Sequence, residues 1–270
     1  MISKDRCPLC QSREVFLFFR WRRFAILACK ACTNAWTWPL PGFKDYAECN
    51  FHETTIGKHG SRKMMTDFPV QWRAALESQV RMMREHLRQG ARILEIGCGE
   101  GFLLEQLELA GFEVVGIEPS RQAKQSAHDA GLNVIEGHFP GSKPKGYFDC
   151  VIMSHVLEHQ PDPRSFIAEA VQLMPNGAMF LIQTNWLGIV PQRDGHKWYA
   201  WVPEQHYWHF TPMGIESIAS SFGLRTAALE YSSLVHELGS HIEPLSEVAL
   251  RTVSGGDQFH ILLRHNGDFP

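Results

Sequence analysis

"LEIGCGEGF", residues 94–102, runs an apolar stretch into an acid and then sets Gly97, Gly99 and Gly101 at alternate positions. An apolar run ending in such a turn predicts a buried strand. The turn brings backbone close to a ligand, and the helix expected to begin near Phe102 points its free N–H groups at it. The loop lacks the Gly-Lys-Ser/Thr ending of a phosphate-cradling P-loop. Its G-x-G-x-G spacing also differs from the G-x-G-x-x-G of dinucleotide folds. Glu95, two residues ahead of the first glycine, would repel a pyrophosphate and suits a ligand carrying an ammonium and a sulfonium.

The pattern extends outward on both sides. Upstream, Val70, Trp72, Leu76, Val80, Met83 and Leu87 recur at three- and four-residue steps, predicting an amphipathic helix that Gly90 ends. Strand-like runs follow at 91–97, 112–118, 132–137, 147–154 and 178–184, with two more at 224–231 and 258–265. The intervening helices carry clear punctuation. Gly111 and Gly131 follow the first two, Ser120 caps the second, Asp162-Pro163 opens the next, and Thr211-Pro212 opens one running through Phe222 to Gly223. Strands alternating with helices predict an α/β fold: a Rossmann-like, mostly parallel seven-stranded sheet with helices on both faces.

A second acid fits the ligand suggested by the glycine turn. Glu118 ends the next strand, 17 residues beyond Gly101, where a carboxylate can accept hydrogen bonds from both hydroxyls of a ribose. With Glu95, this points to S-adenosylmethionine. The chain in fact resembles the class I S-adenosylmethionine-dependent methyltransferases over about residues 70–231. "ILEIGCGEGFLLEQL" is similar to their first motif, "VVGIEPS" to the second, "FDCVIMSHVLEHQPDP" to the fourth strand and its sequel, and "LMPNGAMFLIQTN" to the turn before the fifth. "HYWHFTPMGIESIASSFGL" resembles a segment of the small-molecule branch that often carries an N-terminal zinc ribbon.

The resemblance implies roles by position. Glu95 and the backbone through Gly97, Cys98, Gly99 and Gly101 would hold the methionine part, and Glu118 the ribose. Residues after the third strand would hold the adenine, and Pro119 and Ser154 complete the cofactor-binding candidates. Two positions depart from the family pattern. Gly137-His138 stands where the family commonly has Gly-Asp, leaving adenine recognition to His138 or the Phe139 backbone. Asn176 replaces a turn glycine, a site where Asn tolerates the left-handed conformation.

Methyl transfer needs alignment, exclusion of water and, for an acceptor that must lose a proton, a base. The position after the fourth strand and the irregular segment 186–210 are where the acceptor is expected. His155 and His206 rank first as bases, ahead of His159 and His209, and the spacing of "HVLEH" would put His155 and His159 on one side of a helical segment. Trp186, Trp198, Tyr199, Trp201, Tyr207, Trp208 and Phe210 would stack an acceptor or roof the cofactor, roofing being favoured. "HELGSH" at 236–241 spaces its histidines by five where a metalloprotease helix needs four, so it is assigned no metal.

The N-terminus carries a separate signal. Cys7, Cys10, Cys29 and Cys32 form C-x2-C-x18-C-x2-C, the spacing of a structural four-thiolate zinc site with no open coordination position. Cys49, Cys98 and Cys150 read as free thiols. The organisation expected is a zinc ribbon over 1–42, a linker over 43–68 and a methyltransferase domain over 69–270.

Residues 1–40 hold seven Lys/Arg against two Asp/Glu, while the rest holds 19 against 27. "FFRWRRF", Phe18 to Phe24, reads as a strand face with its arginines in solvent. The acidic body is a poor track for a phosphate backbone, which disfavours an RNA methyltransferase. The intact acids and glycines disfavour a non-catalytic partner protein. The partner expected is a small-molecule acceptor, and the reaction expected is O-methylation of a sugar or secondary metabolite. No apolar run of membrane-spanning length or apolar leader core is present, and the expectation is a cytoplasmic protein; oligomeric state is left open.

Overall fold

The computed structural model describes residues 4–42, 69–198, 200–232 and 256–265. The expected linker, Cys49, Tyr199 and "HELGSH" lie outside them. The chain opens with three antiparallel strands, β1 (Val15–Trp21), β2 (Phe24–Cys29) and β3 (Ala35–Trp38). Arg20, Arg22 and Arg23 are exposed along β1 and its turn, as the arginine pattern suggested. Next comes α1 (Pro69–His86), then the alternation β4 (Arg92–Ile96), α2 (Phe102–Leu109), β5 (Glu113–Glu118), α3 (Arg121–Asp129), β6 (Val134–Glu136), β7 (Cys150–Ser154), α4 (Pro163–Val171) and β8 (Ala178–Thr184). The chain continues through α5 (Ile189–Asp194), β9 (Trp208–His209), α6 (Pro212–Ala219), β10 (Leu224–Ser232) and β11 (Gln258–His265).

Seven strands form one sheet in the order β6-β5-β4-β7-β8-β11-β10. The first five are parallel and β11 runs antiparallel to both neighbours. Successive residues go to opposite faces. Leu94, Ile96, Val151 and Met153 pack with Phe166 and Ile167 of α4 and Ile215 of α6, whereas Ile93, Cys150 and Ile152 pack with Met82 and Met83 of α1 and Leu104 of α2. With both faces covered, the central strands are apolar throughout, and every residue of β8 is buried.

Local chemistry sets the element ends. Ser120 accepts from Ala123 N, Asp162 from Ser165 N and Thr211 from Gly214 N, each a side-chain N-cap. The helix opened by Thr211-Pro212 is shorter than the periodicity suggested: α6 ends at Ala219 and a 3-10 turn carries the chain through Phe222. Asn176 differs from expectation, being absent from the positive-φ residues, so its turn makes no left-handed demand. Gly177 beside it is constrained by space, because a Cβ there would lie 2.7 Å from Asp149 O.

The ribbon is joined to the body by a strand. β9 pairs antiparallel with β3, Ala35 opposite His209 and Trp36 opposite Trp208, making a four-stranded sheet. Trp186 Nε1 donates to Thr33 O at 2.9 Å, and Thr37 Oγ1 to His206 O at 2.7 Å. The aromatic residues described in 186–210 are spent here. Trp186, Trp198 and Trp201 pack against Ile26, Ala28 and Ala35, while Tyr207, Trp208 and Phe210 share a core with Trp36. They hold the ribbon on and do not roof the cleft, because burying several indoles between two small units supplies the apolar area that a ribbon lacks.

Gly214, in the first turn of α6, marks the tightest contact: a Cβ there would lie 1.7 Å from Asn34 Oδ1. Gly to Ala ordinarily stabilises a helix by about 1 kcal/mol. Here Gly214→Ala is expected to destabilise by about 1–3 kcal/mol through overpacking, and Asn34→Ala should relieve that loss. Thermal melts of the two single variants and the double variant measure it; additive losses would mean that the two residues do not meet.

Candidate functional site

The order of the parallel strands reverses between β4 and β7, and crevices outside strand carboxyl ends at such a reversal are where α/β folds bind ligands. The glycine turn leaves β4 on one side. Ser154 and His155 leave β7 on the other.

Gly97, Gly99 and Gly101 all take positive φ, at 72°, 56° and 80°. A Cβ at Gly97 would lie 2.5 Å from Val156 Cγ2, and one at Gly101 2.4 Å from Leu132 Cδ1, whereas Gly99 has no protein atom within 4 Å of that position. The outer two glycines are thus demanded by packing and backbone together, and the middle one faces open space. Cys98 tucks under the turn against Gly116 of β5, where a Cβ would lie 2.5 Å from its Sγ.

Glu118 bolts this turn in place. Its Oε2 accepts from Gly99 N at 2.8 Å and its Oε1 from Ser120 N at 2.7 Å. Each oxygen keeps a further lone-pair direction. The spacing suggested a ribose acceptor alone and did not reveal this loop-holding bond. Pro119 is half-buried behind it.

Glu95 is 3% exposed, and its Oε2 has no hydrogen-bond partner among the described residues. Burial, helped by the charge of Glu118, pushes its carboxyl up to about 8. An acid held neutral in isolation is what a cationic ligand would ionise. Beyond β6, His138 is exposed and its carbonyl accepts from Ser142 N, while the Phe139 side chain is buried edge-on against Phe166 at 5.1 Å. Of Phe139, only the backbone is left for a ligand.

His155 takes a positive φ of 51°, costly for a residue with a Cβ, and its N–H is fixed to Ile182 O at 3.0 Å. Gln258, at the start of β11, presents its amide to Nε2, so Nδ1–H donates to Glu158 Oε1 at 3.2 Å. Burial of Glu158 works against ionisation, but its bond from His155 and the nearby charges of His159, His155 and His206 outweigh it and hold the carboxyl down at about 2. Residues 157–159 form a 3-10 turn that starts after His155, so the helical relation expected of "HVLEH" does not hold. His155 faces β11. His159 faces the other way, with Nδ1 3.2 Å from Gln205 O and its ring edge-on to His206 at 4.8 Å.

His206 is pushed down to about 3 by burial and by the neighbouring His159, and its Nδ1 lies 3.0 Å from Ala200 O. His209 is 1% exposed, edge-on to Trp201 at 4.5 Å, and its pKa is driven well below the ordinary value by burial and by His206. That depth puts it among the ribbon-facing packing, away from the rim where an acceptor would meet it. Gln258 escaped sequence reading because no pattern links the start of β11 to the end of β7. Glu158 lay in plain view between two ranked histidines and was passed over.

At the ribbon, Cys7 Sγ and Cys32 Sγ are 3.5 Å apart, Cys10 Sγ and Cys29 Sγ 3.6 Å, and all four sulfurs lie within 4.8 Å of one another. These separations are far beyond a disulfide and close to the edge of about 3.8 Å that four Zn–S bonds of about 2.3 Å set in a tetrahedron. Each Cys pair is followed by a left-handed residue, Gln11 at 63° and Thr33 at 59°, which folds the chain into matching knuckles. Cys98 and Cys150 are free and buried, and burial raises both thiols, Cys150 to about 12.

A model of the methyltransferase-domain family matches residues 71–229. The chain belongs to the class I S-adenosylmethionine-dependent methyltransferases. This methyltransferase is 32% identical over 141 residues to a ubiquinone biosynthesis O-methyltransferase of Escherichia coli O9:H4, covering 48% of the chain and 55% of that relative. It is 30% identical over 175 residues to the enzyme of the same description from Shigella boydii, covering 58% and 68%. The matches thus span between about half and two thirds of these relatives' lengths. Among solved structures, it is similar to the Burkholderia thailandensis 1,6-didemethyltoxoflavin-N1-methyltransferase, with TM-score 0.57 and 17% identity over 92% of this chain and 97% of the other. Among the described residues of the methyltransferase, no helix is long and apolar enough to cross a membrane.

The isolated acid gives a pH test. In the folded protein Glu95 keeps a proton that the unfolded chain releases above the usual carboxylate range, so stability without ligand falls as pH rises toward about 8 and levels off beyond. Glu95→Gln has no proton to lose. It should flatten the fall and leave the variant more stable than the parent by about 2–4 kcal/mol near pH 9. Denaturant unfolding across pH measures this; parallel pH profiles would remove the buried neutral acid.

Proposed function

We propose that this protein methylates a small-molecule acceptor, at oxygen in the first instance, with S-adenosylmethionine as donor. One observation carries the donor site: a buried carboxyl oxygen of Glu95, without a partner among the described residues, stands beside a glycine turn whose middle member faces open space. Glu95 would meet the ammonium, the backbone from Gly97 through Cys98 to Gly101 the methionine part, and Glu118 the ribose through its remaining lone pairs. Pro119, Ser154 and the Phe139 backbone would complete the donor site, and the exposed His138 would be left for the adenine edge. S-adenosylmethionine supplies a methyl carbon already activated by positive sulfur, so the chain's own work is alignment, exclusion of water and proton removal.

For the proton, the arrangement favours His155 over His206, His159 and His209. Its ring is oriented by Glu158, whose carboxylate can stabilise the imidazolium formed when Nε2 takes a proton. Gln258 holds that nitrogen until an acceptor hydroxyl replaces its amide. The relatives called ubiquinone biosynthesis O-methyltransferases support oxygen as target, and the N1-methyltransferase with the same fold keeps nitrogen as the second reading. The ribbon cysteines would hold one zinc ion in a closed, structural site.

Calorimetry with S-adenosylhomocysteine is expected to show binding, weakened about 5- to 150-fold by Glu118→Ala, the loss of about 1–3 kcal/mol that removal of hydrogen bonds to a charged group brings. Unchanged affinity would detach Glu118 from the donor site. With a hydroxyl acceptor, His155→Ala should lower kcat by about 10²–10⁴ while leaving S-adenosylhomocysteine affinity in place. Equal turnover in that variant would remove the base assignment.

A further inference from the structure

Glu158, His159 and His206 stand together, and the proposed proton transfer engages only Oε1 of Glu158 among them. Each offers one ligand atom, and these atoms all lie within 4.8 Å of one another. Glu158 supplies the buried floor, 2% exposed, and its Oε2 has no hydrogen-bond partner among the described residues while Oε1 takes the bond from His155. The two histidines are partly exposed above it.

Their tautomers are set by the backbone. A carbonyl oxygen only accepts, so the Nδ1 of His159 against Gln205 O at 3.2 Å and the Nδ1 of His206 against Ala200 O at 3.0 Å both carry protons. Each neutral ring then has its lone pair on Nε2. Metal-ligating histidines are held in this way, one nitrogen donating to a carbonyl or carboxylate and the other facing the ion. The backbone also fixes the two segments to each other: Tyr207 N donates to Glu158 O at 2.9 Å, and Trp208 Nε1 to Gln160 O at 2.7 Å.

We infer that Glu158 Oε2, His159 Nε2 and His206 Nε2 form a divalent-metal site at the acceptor end of the crevice, distinct from the ribbon's four thiolates. Two imidazoles and one carboxylate suit a borderline first-row ion such as Zn²⁺, Co²⁺ or Fe²⁺. Three protein ligands leave a position open, unlike the closed four-cysteine site. Resting on the acceptor reading above, the open position would take an oxygen of the acceptor, and the ion would make a hydroxyl there more acidic, with Glu158 linking the ion to His155 through its other oxygen.

The test uses the full chain with its ribbon loaded with zinc and excess metal removed, titrated with Co²⁺. One further equivalent should bind, with an absorption spectrum free of thiolate charge-transfer bands. Proton spectra of the cobalt form should show two strongly shifted, solvent-exchangeable resonances from the two Nδ1–H groups. His206→Ala and Glu158→Gln should abolish the uptake while keeping S-adenosylhomocysteine binding. No uptake by the parent at millimolar Co²⁺, fewer than two shifted imidazole protons, or undiminished uptake by folded variants would each overturn the site. Because metal uptake and S-adenosylhomocysteine binding are read separately, loss of one reading leaves the other standing.

Discussion

The crevice depends on two carboxylates placed where water cannot reach them. Glu118 spends its charge on backbone, taking Gly99 N and Ser120 N and so fixing both the glycine turn and the entry to α3. Glu95 Oε2 finds no partner among the described residues, and burial favours its protonated form. The two differ by a single set of hydrogen bonds, yet one is a structural bolt and the other is the group proposed to meet the donor's cation. Moving either by one residue would reverse the side of the sheet it faces.

The other half of the crevice is built from long-range contacts. His155 is caught between Glu158 of its own turn and Gln258 of β11, more than a hundred residues away. His206 arrives from the segment that leads into β9, held by Thr37 of the ribbon through its carbonyl. The proposed donor side is therefore local in sequence and the proposed acceptor side is assembled from three remote pieces, as expected where one cofactor serves chains with different acceptors.

That division explains what was legible. The strands, their alternation, the caps at Ser120, Asp162 and Thr211, and the glycine turn all follow from local periodicity and local hydrogen bonding, so sequence sufficed. The four cysteines were legible for the same reason, a spacing that needs no tertiary knowledge. What escaped was set by tertiary pairing: β9 joining the ribbon, the indoles buried at that joint, Gln258 against His155, and the bond from Gly99 to Glu118. A left-handed His155 in place of a helical one broke the expected link between His155 and His159, and nothing in the type of residue announces that.

The pairing of β3 with β9 ties the ribbon to more than its own integrity. The dipeptide that completes the ribbon sheet begins two residues past His206, so His206 inherits its position from a sheet whose strand β2 ends at Cys29. Oxidation of the ribbon thiols would therefore be felt first at the acceptor end of the crevice, with the glycine turn the last element to respond. A ribbon transplanted from a relative would serve this chain only if its final strand kept the same register against Trp208 and His209.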